Sequence, residues 1–208
     1  MEVLVLCGDR WHPGEVVIKG LEPLGKYEIN FEAVENVGRL TLEGLERYPV
    51  VILSKSNNIS STDESPWITE EAQEAILAYV RQGGSLFVIH SGTAGYDEAE
   101  KLRSLMGGIF THHPEQCEVT TETLKGHTIV ESGKAFTEMD EHYHVKLDDP
   151  NVHIFMRTSS KHGSQPGGWT RTEGDGRVCV ITPGHNLEVW LNPVFQEILK
   201  NCIDWCTE

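Results

Sequence analysis

The sequence lacks the features that would assign it to an exported or a membrane-bound class. No apolar run approaches the roughly 20 residues that a membrane-spanning helix needs. The chain runs from Met1 directly into a short apolar segment with no basic residues before it, so no export signal is indicated. We therefore expect a soluble, cytoplasmic protein.

Cysteine is also scarce. The five cysteines are odd in number and include no Cys-x-x-Cys pair, which argues against a disulfide framework and against the usual structural zinc motifs. Cys202 and Cys206 are one helical turn apart, and packing of two small apolar residues explains that spacing. Reduced thiols are expected.

Basic residues are also few compared with acidic ones. With 17 basic and 32 acidic side chains, the formal net charge is -15, which repels phosphate backbones and anionic membranes. The expected partner is therefore a small molecule, with no nucleic acid and no membrane, and a homo-oligomer stays open. No linker or repeat divides the chain, so residues 1–208 are predicted to form one domain.

Short apolar runs and amphipathic segments alternate through the first half, which predicts an α/β fold with a mostly parallel, doubly wound sheet. Thr69 should cap the clearest helix, and Gly83-Gly84 should end it. Beyond Gly107 the pattern changes to short strands between turn residues, so the second half should be more antiparallel. The predicted strands are 3–7, 27–33, 50–53, 85–89, 118–122, 152–157, 169–171 and 177–182, and the predicted helices are 14–24, 41–47, 69–82, 97–106 and 193–205.

Histidines follow several predicted strands, where open α/β sheets bind their ligands. His12, His90 and His185 occupy three such positions, and His90 lies at the tight turn where similar enzymes carry a nucleophile. His113 and Glu141 are two further candidates from the second half. A lone histidine at any of these places would as readily be structural, but three at comparable positions favour a functional role.

Short motifs occur in a fixed order along nearly the whole chain. They begin with His12, continue through two glycine-rich segments, and end with spaced aromatic residues: His90–Gly92, Gly107–Pro114, Asp140–Tyr143, Gly167–Arg171, Gly176–Val178, Gly184–Asn186, Trp190, Pro193, Phe195 and Trp205. This ordered series resembles the ThuA (trehalose utilisation) family, a branch of the class I glutamine-amidotransferase-like fold. The resemblance implies a flavodoxin-like sheet of that type.

The resemblance also separates this chain from amidotransferases. Those enzymes need a cysteine in a strained Gly-x-Cys-x-Gly turn, whereas Ile89-His90-Ser91-Gly92 occupies that turn here, and His185 is not followed two residues later by glutamate. Glutamine hydrolysis is therefore not expected. Ser91 remains an alternative nucleophile, although its Gly-x-Ser-x-Gly frame is incomplete.

Carbohydrate metabolism is what the resemblance implies, with a trehalose-like glycoside or a keto-sugar derivative as substrate. We expect acid-base chemistry by Glu141 with His90, His113 or His185, or a divalent metal such as zinc among the same four residues. Whether the chain is an enzyme stays open, because a non-catalytic sugar-binding or regulatory domain is the alternative.

Substrate contacts are expected from residues close in sequence to these candidates. Aromatic faces can cover the apolar side of a sugar, and polar groups can bond its hydroxyls. The alternative is that the tryptophans pack the edges of the sheet. The expected substrate-binding residues are Trp11, His12, Tyr96, Tyr143, Trp169, Asn186 and Trp190.

Overall fold

A nine-stranded sheet forms the centre of the fold in a computed structural model, which describes residues 1–37, 40–129 and 133–208. The described strands are β1 (Glu2–Cys7), β2 (Asn30–Val34), β3 (Val50–Ser54), β4 (Ser85–Ile89), β5 (Gly108–His112), β6 (Cys117–Thr123), β7 (Ala135–Asp140), β8 (His144–Leu147), β9 (His153–Ser160), β10 (Gly163–Glu173) and β11 (Gly176–Ile181). The helices are α1 (Gly14–Leu21), α2 (Leu42–Leu45), α3 (Glu70–Arg81), α4 (Glu100–Met106), α5 (Leu187–Leu191) and α6 (Pro193–Cys206).

Strand order confirms the predicted fold class. The large sheet runs β2-β1-β3-β4-β11-β10-β9-β6-β7, and β5 pairs with β8 in a separate small sheet. The first five strands of this order are parallel, and the remaining pairings are antiparallel. Although β11 belongs to the second half of the sequence, it lies beside β4 with Ile181 opposite Ile89. The loops after β4 and β11 therefore leave the sheet side by side.

Two apolar layers cover the parallel strands. Val3 and Val5 of β1 pack in one core with α1 and α6, whereas Leu4 and Leu6 pack in the other with α3 and α4. Because both faces are covered, these strands are continuously apolar instead of alternating with polar residues. None of the described helices is long and apolar enough to cross a membrane.

Local capping and helix-breaking signals explain several boundaries. Thr69 accepts a hydrogen bond from the amide of Ala72 at 3.2 Å, which confirms the predicted cap of α3. The predicted helix 14–24 ends at Leu21, and a 3-10 helix containing Pro23 follows it over Glu22–Tyr27, since proline interrupts the α-helical hydrogen-bond pattern. The helix predicted over 41–47 is a single turn, and α4 begins three residues later than predicted.

Three strands and one short helix were not predicted, namely β5, β7, β8 and α5. The sequences of β7 and β8, AFTEMD and HVKL, are short and mix polar with apolar residues. Their pairing depends on partners distant in sequence, which local periodicity does not record. These strands matter because the segment between β7 and β8, 141–143, carries two of the candidate residues, Glu141 and Tyr143.

The turn after β4 is held in an unusual backbone conformation. His90 has a φ of 47°, in the left-handed region that favours glycine. Two residues later, a Cβ on Gly92 would lie 2.1 Å from the carbonyl oxygen of Leu53 and 2.8 Å from Val88. Only glycine allows the chain to pass this close to β3.

Gly92→Ala is therefore expected to lower the free energy of unfolding by about 3 kcal/mol or more, because its methyl group would overlap a backbone carbonyl that cannot rotate away. Gly25→Ala is the matched control, since nothing lies within 4 Å of a Cβ at that position, and it should change stability by less than about 1 kcal/mol. Guanidinium-induced unfolding measures both. Equal stabilities would contradict this account of the turn.

Candidate active site

Four candidate side chains meet at the carboxyl end of the parallel strands. His12 follows β1, His90 follows β4, His185 follows β11, and Glu141 lies between β7 and β8. One nitrogen or oxygen atom from each of the four lies within 4.8 Å of the others. We call this set the His/Glu cluster.

The carboxylate of Glu141 is at the centre of the His/Glu cluster. Its Oε2 lies 3.2 Å from Nδ1 of His185, 3.5 Å from Nε2 of His90 and 3.9 Å from Nε2 of His12. Its other oxygen, Oε1, lies 3.6 Å from Nε2 of His113. The three histidines predicted to act in catalysis with Glu141 therefore all lie close to its carboxylate. His90 and His185 face Oε2, whereas His113 faces Oε1.

Hydrogen bonds on the far side of each ring fix the orientation of three histidines. Nδ1 of His12 donates to Oδ1 of Asp9 at 2.8 Å, Nδ1 of His90 donates to the carbonyl of Thr182 at 2.7 Å, and Nδ1 of His113 donates to the carbonyl of Pro114 at 2.8 Å. Carboxylate and carbonyl oxygens only accept, so these protons are on Nδ1. Nε2 of each ring therefore faces Glu141, as a lone pair where the ring is neutral and as a donor where it is protonated.

Asp9 is a functional residue that the sequence analysis missed. It is buried, and besides His12 Nδ1 it accepts hydrogen bonds from the amides of Trp11 at 2.8 Å, His12 at 3.0 Å and Ser56 at 2.9 Å. An aspartate directly after a strand and three residues before a histidine is a recognisable signal, because aspartate side chains often bond backbone amides just after themselves. Asp9 therefore holds both the turn and the ring of His12.

Asp140 performs a comparable task for the loop after β11. Its two carboxylate oxygens accept from the amides of Gly184 and His185, each at 2.9 Å. Asp140 is the last residue of β7 and directly precedes Glu141, so the same strand end holds the loop of His185 and presents the central carboxylate. The sequence motif contained Asp140, but no role was predicted for it.

Charges within the His/Glu cluster depend strongly on one another. Burial alone would raise the pKa of Glu141, but the close imidazoles of His12, His185 and His90 outweigh it and hold that pKa far below its usual range. Burial opposes protonation of His12, yet Asp9 and Glu141 raise its pKa to about 9. Complete burial instead lowers the pKa of His90. At neutral pH the chain by itself therefore holds an ionised Glu141, a protonated His12 and a neutral His90.

A cleft of about 720 Å³ opens above the His/Glu cluster. Trp11 is 63% exposed at this cleft, with the guanidinium of Arg10 4.9 Å from its ring. Tyr143 also lines the cleft, and its ring stacks on His90 with centroids 4.0 Å apart. Of the residues predicted to bind substrate, the structure thus brings Trp11, Tyr143 and His12 to the site.

The structure places three other residues that were predicted to bind substrate in the core instead of at the cleft. Tyr96, Trp169 and Trp190 are fully buried in the core, and their polar atoms donate to backbone carbonyls, of Lys55 at 2.7 Å, Met106 at 2.8 Å and Gly184 at 2.7 Å respectively. Closeness in sequence to a candidate histidine did not reveal this burial. They support the fold and do not face a ligand.

Asn186 is also placed differently from the prediction. Its side-chain amide donates to Oε1 of Gln116 at 3.0 Å and to the carbonyl of Met139 at 2.9 Å. It ties the loop after β11 to β7 and is not among the residues lining the cleft.

The cysteine thiols and the hydroxyl of Ser91 are buried and do not line the cleft. All five cysteine thiols are buried. Ser91 is fully buried as well, which removes the serine alternative because a buried hydroxyl cannot reach a substrate in the cleft. The candidate functional group at the turn after β4 is therefore the imidazole of His90.

Comparison with known proteins agrees with this arrangement. The family model described as ThuA, trehalose utilisation, matches residues 2–206. The chain belongs to the ThuA family. No curated protein matches it.

Solved structures similar to this ThuA chain share its fold at low sequence identity. A ThuA-like protein from Parabacteroides merdae has a TM-score of 0.74 and 19% identity, covering 100% of this chain and 90% of that one. A ThuA-like protein from Bacteroides uniformis has a TM-score of 0.71 and 17% identity, covering 99% and 91%. A β-galactosidase from Bacillus circulans has a TM-score of 0.67 and 14% identity, with 98% of this chain matching 30% of that chain. These likenesses show the fold alone.

Asp9→Asn is expected to lower the free energy of unfolding by about 2–3 kcal/mol, because a neutral amide replaces a buried, charged carboxylate that accepts from four N–H groups. Asp63→Asn is the matched control, since Asp63 is exposed and accepts only from the amide of Ser65 at 2.9 Å; it should cost less than about 0.5 kcal/mol. Urea unfolding compares the two. A similar loss in both variants would contradict the structural role assigned to Asp9.

Proposed function

We propose that this ThuA-family chain is an enzyme of carbohydrate metabolism that acts on a trehalose-like glycoside or a keto-sugar derivative. The observation that carries the proposal is the convergence of His12, His90, Glu141 and His185 beneath an open cleft. Groups that exchange protons or bind metal gather in this way mainly at functional sites. The family's description as trehalose utilisation supports a sugar as the substrate.

The cleft suits a sugar in size and in chemistry. Its volume of about 720 Å³ falls within the range of about 300–1,000 Å³ usual for small-molecule sites. The exposed ring of Trp11 offers an apolar surface, and Asn57, Asn58 and Glu64 line the same cleft with hydrogen-bonding groups. A sugar ring needs both kinds of contact, because its C–H faces are apolar and its edge carries hydroxyls.

His113 is the residue best suited to move a proton. Its imidazole is 35% exposed in the cleft, and its Nε2 lone pair lies 3.6 Å from Oε1 of Glu141. When this nitrogen takes a proton from the carbon beside a sugar carbonyl, the carboxylate stabilises the imidazolium that forms.

A non-catalytic sugar-binding or regulatory domain is the second candidate. The observation that favours it is the similarity to a β-galactosidase of which this fold makes up only 30% of the chain, because a fold used as one part of a longer protein need not carry chemistry. Such a domain would bind sugars in the same cleft without converting them.

Glu141→Gln is expected to lower kcat by about 10²-fold or more, since the neutral amide no longer stabilises the imidazolium, while folding and sugar binding persist. Turnover is measured by chromatography over a panel of glycosides and keto-glycosides, and Glu98→Gln, an exposed residue outside the cleft, is the control. Binding of sugars by the wild type without conversion of any of them would favour the non-catalytic alternative.

Trp11→Ala is expected to raise KM by about tenfold and to leave kcat nearly unchanged, because loss of a stacking surface worth about 1.4 kcal/mol weakens ground state and transition state alike. Tyr27→Ala serves as the control, since Tyr27 is an exposed aromatic residue just before β2, at the opposite end of the sheet. Steady-state kinetics on a converted sugar tests both variants. An unchanged KM in Trp11→Ala would remove Trp11 from the substrate site.

A further inference from the structure

We propose that His12, His90, Glu141 and His185 bind a single divalent transition-metal ion at the floor of the cleft. The proposal deepens the proposed function, and the use of the ion in catalysis rests on that function. Binding of the ion is a separate property that can be measured without any turnover.

The four donor atoms are close enough to share one ion. Oε2 of Glu141 lies 3.2 Å, 3.5 Å and 3.9 Å from the facing nitrogens of His185, His90 and His12. Ligands that bind zinc at about 2.0–2.1 Å in a tetrahedron are about 3.3 Å apart. The three separations from Oε2 bracket this value, and all four donor atoms lie within 4.8 Å of one another, so side-chain rotations that draw the donors together complete the site.

The facing nitrogens are buried and unpaired, and each can offer a lone pair to a metal ion when its ring is neutral. Within the described part of the chain, Nε2 of His12, Nε2 of His90 and Nδ1 of His185 have no hydrogen-bond partner. Each buried polar atom left in this state costs about 1–3 kcal/mol. Their common neighbour, the Glu141 carboxylate, is itself an acceptor and cannot donate to them. Once the rings are neutral, a single metal ion takes a lone pair from all four donors at once, whereas one proton can be shared by only two of them.

The surroundings of the His/Glu cluster match those of known kinds of metal site. Histidines that bind metal usually donate their other ring nitrogen to a carboxylate or a backbone carbonyl, which fixes the ring and the proton. His12 does so to Asp9 at 2.8 Å, and His90 does so to Thr182 at 2.7 Å. Asp140 fixes the backbone of His185 through its amide at 2.9 Å. These supports orient three of the four donors before any ion binds.

The ligand set differs in one member from the four residues that the sequence suggested. His12 takes the place of His113, because His113 approaches Oε1 of Glu141 at 3.6 Å, away from the oxygen that the other three histidines face. His113 is thereby left with a free Nε2 at the cleft. The Glu141 carboxylate therefore faces the proposed metal ion with Oε2 and the proton-transferring His113 with Oε1.

The donors select the class of ion. Three imidazole nitrogens with one carboxylate suit zinc or a similar first-row divalent ion, whereas calcium and magnesium prefer ligand sets made of oxygen. The side chains of Glu141 and His185 remain 12% and 20% exposed on the side of the cleft, so a substrate oxygen can approach the ion as a fifth ligand. When bound there, the ion supplies Lewis-acid polarisation of that oxygen.

The test is zinc binding by the untagged full-length chain. After removal of metal with a chelator, Zn²⁺ alone is titrated in competition with a chromophoric chelator, and the metal content is measured by mass spectrometry. One zinc per chain is expected in the wild type. His12→Ala and His185→Ala should weaken its binding by about 100-fold or more, and Asp9→Asn by about 10- to 100-fold.

Two variants serve as controls for position. His113→Ala should retain zinc, because it lies on the other side of Glu141, and His153→Ala, at an exposed histidine outside the cleft, should retain it as well. If His12→Ala proves unfolded by circular dichroism, His185→Asn replaces it, and the rise in Tm produced by Zn²⁺ in the wild type must disappear in that variant. Loss of zinc in His113→Ala to the same degree as in His12→Ala would overturn the proposed ligand set.

Failure of this proposal and failure of the proposed function give different results. A wild type that takes up no Zn²⁺, Mn²⁺ or Co²⁺ overturns the metal site, even if sugar turnover is found. A wild type that binds one zinc through His12 and His185 supports the metal site, even if no sugar in the panel is converted.

Discussion

The buried carboxylate of Glu141 is the group on which the rest of the site depends. A carboxylate removed from water is costly unless positive or hydrogen-bonding partners surround it. Here the partners are imidazoles from four separate parts of the chain, at positions 12, 90, 113 and 185. Hydrogen bonds on the far side of the ring hold His12, His90 and His113 in place. Removing the central charge would leave the rings without a common partner, and removing the rings would leave the charge unpaired.

This convergence depends on the way the second half of the chain returns to the sheet. β11 inserts beside β4 in parallel, so the loop of His185 emerges next to the turn of His90. β7 lies at the far edge of the same sheet, yet Asp140 at its end binds the amides of Gly184 and His185. The antiparallel half therefore contributes its own strand ends to a site built on the parallel half.

Sequence reasoning found the histidines because their positions follow from a general rule. Apolar runs in the sequence predicted the strands β1, β4 and β11. In α/β sheets, the residues that bind ligands follow the carboxyl ends of such strands. What the sequence did not reveal was which oxygen of Glu141 each histidine faces, since that depends on how loops distant in sequence pack. Tyr96, Trp169 and Trp190 were misjudged for a related reason: nearness along the chain says nothing about depth in the core. The strands around Glu141 were missed because their own sequences are polar.

The turn at His90 shows how this fold can change its chemistry while keeping its geometry. The left-handed φ of 47° costs energy for any residue with a side chain, and Gly92 preserves the close approach that makes the turn possible. In a covalent enzyme such strain exposes a nucleophile. Here it projects an imidazole whose Nδ1 is bonded to Thr182 and whose Nε2 points at Glu141. The strained turn therefore serves to place a lone pair at a fixed point, as both metal coordination and proton transfer require.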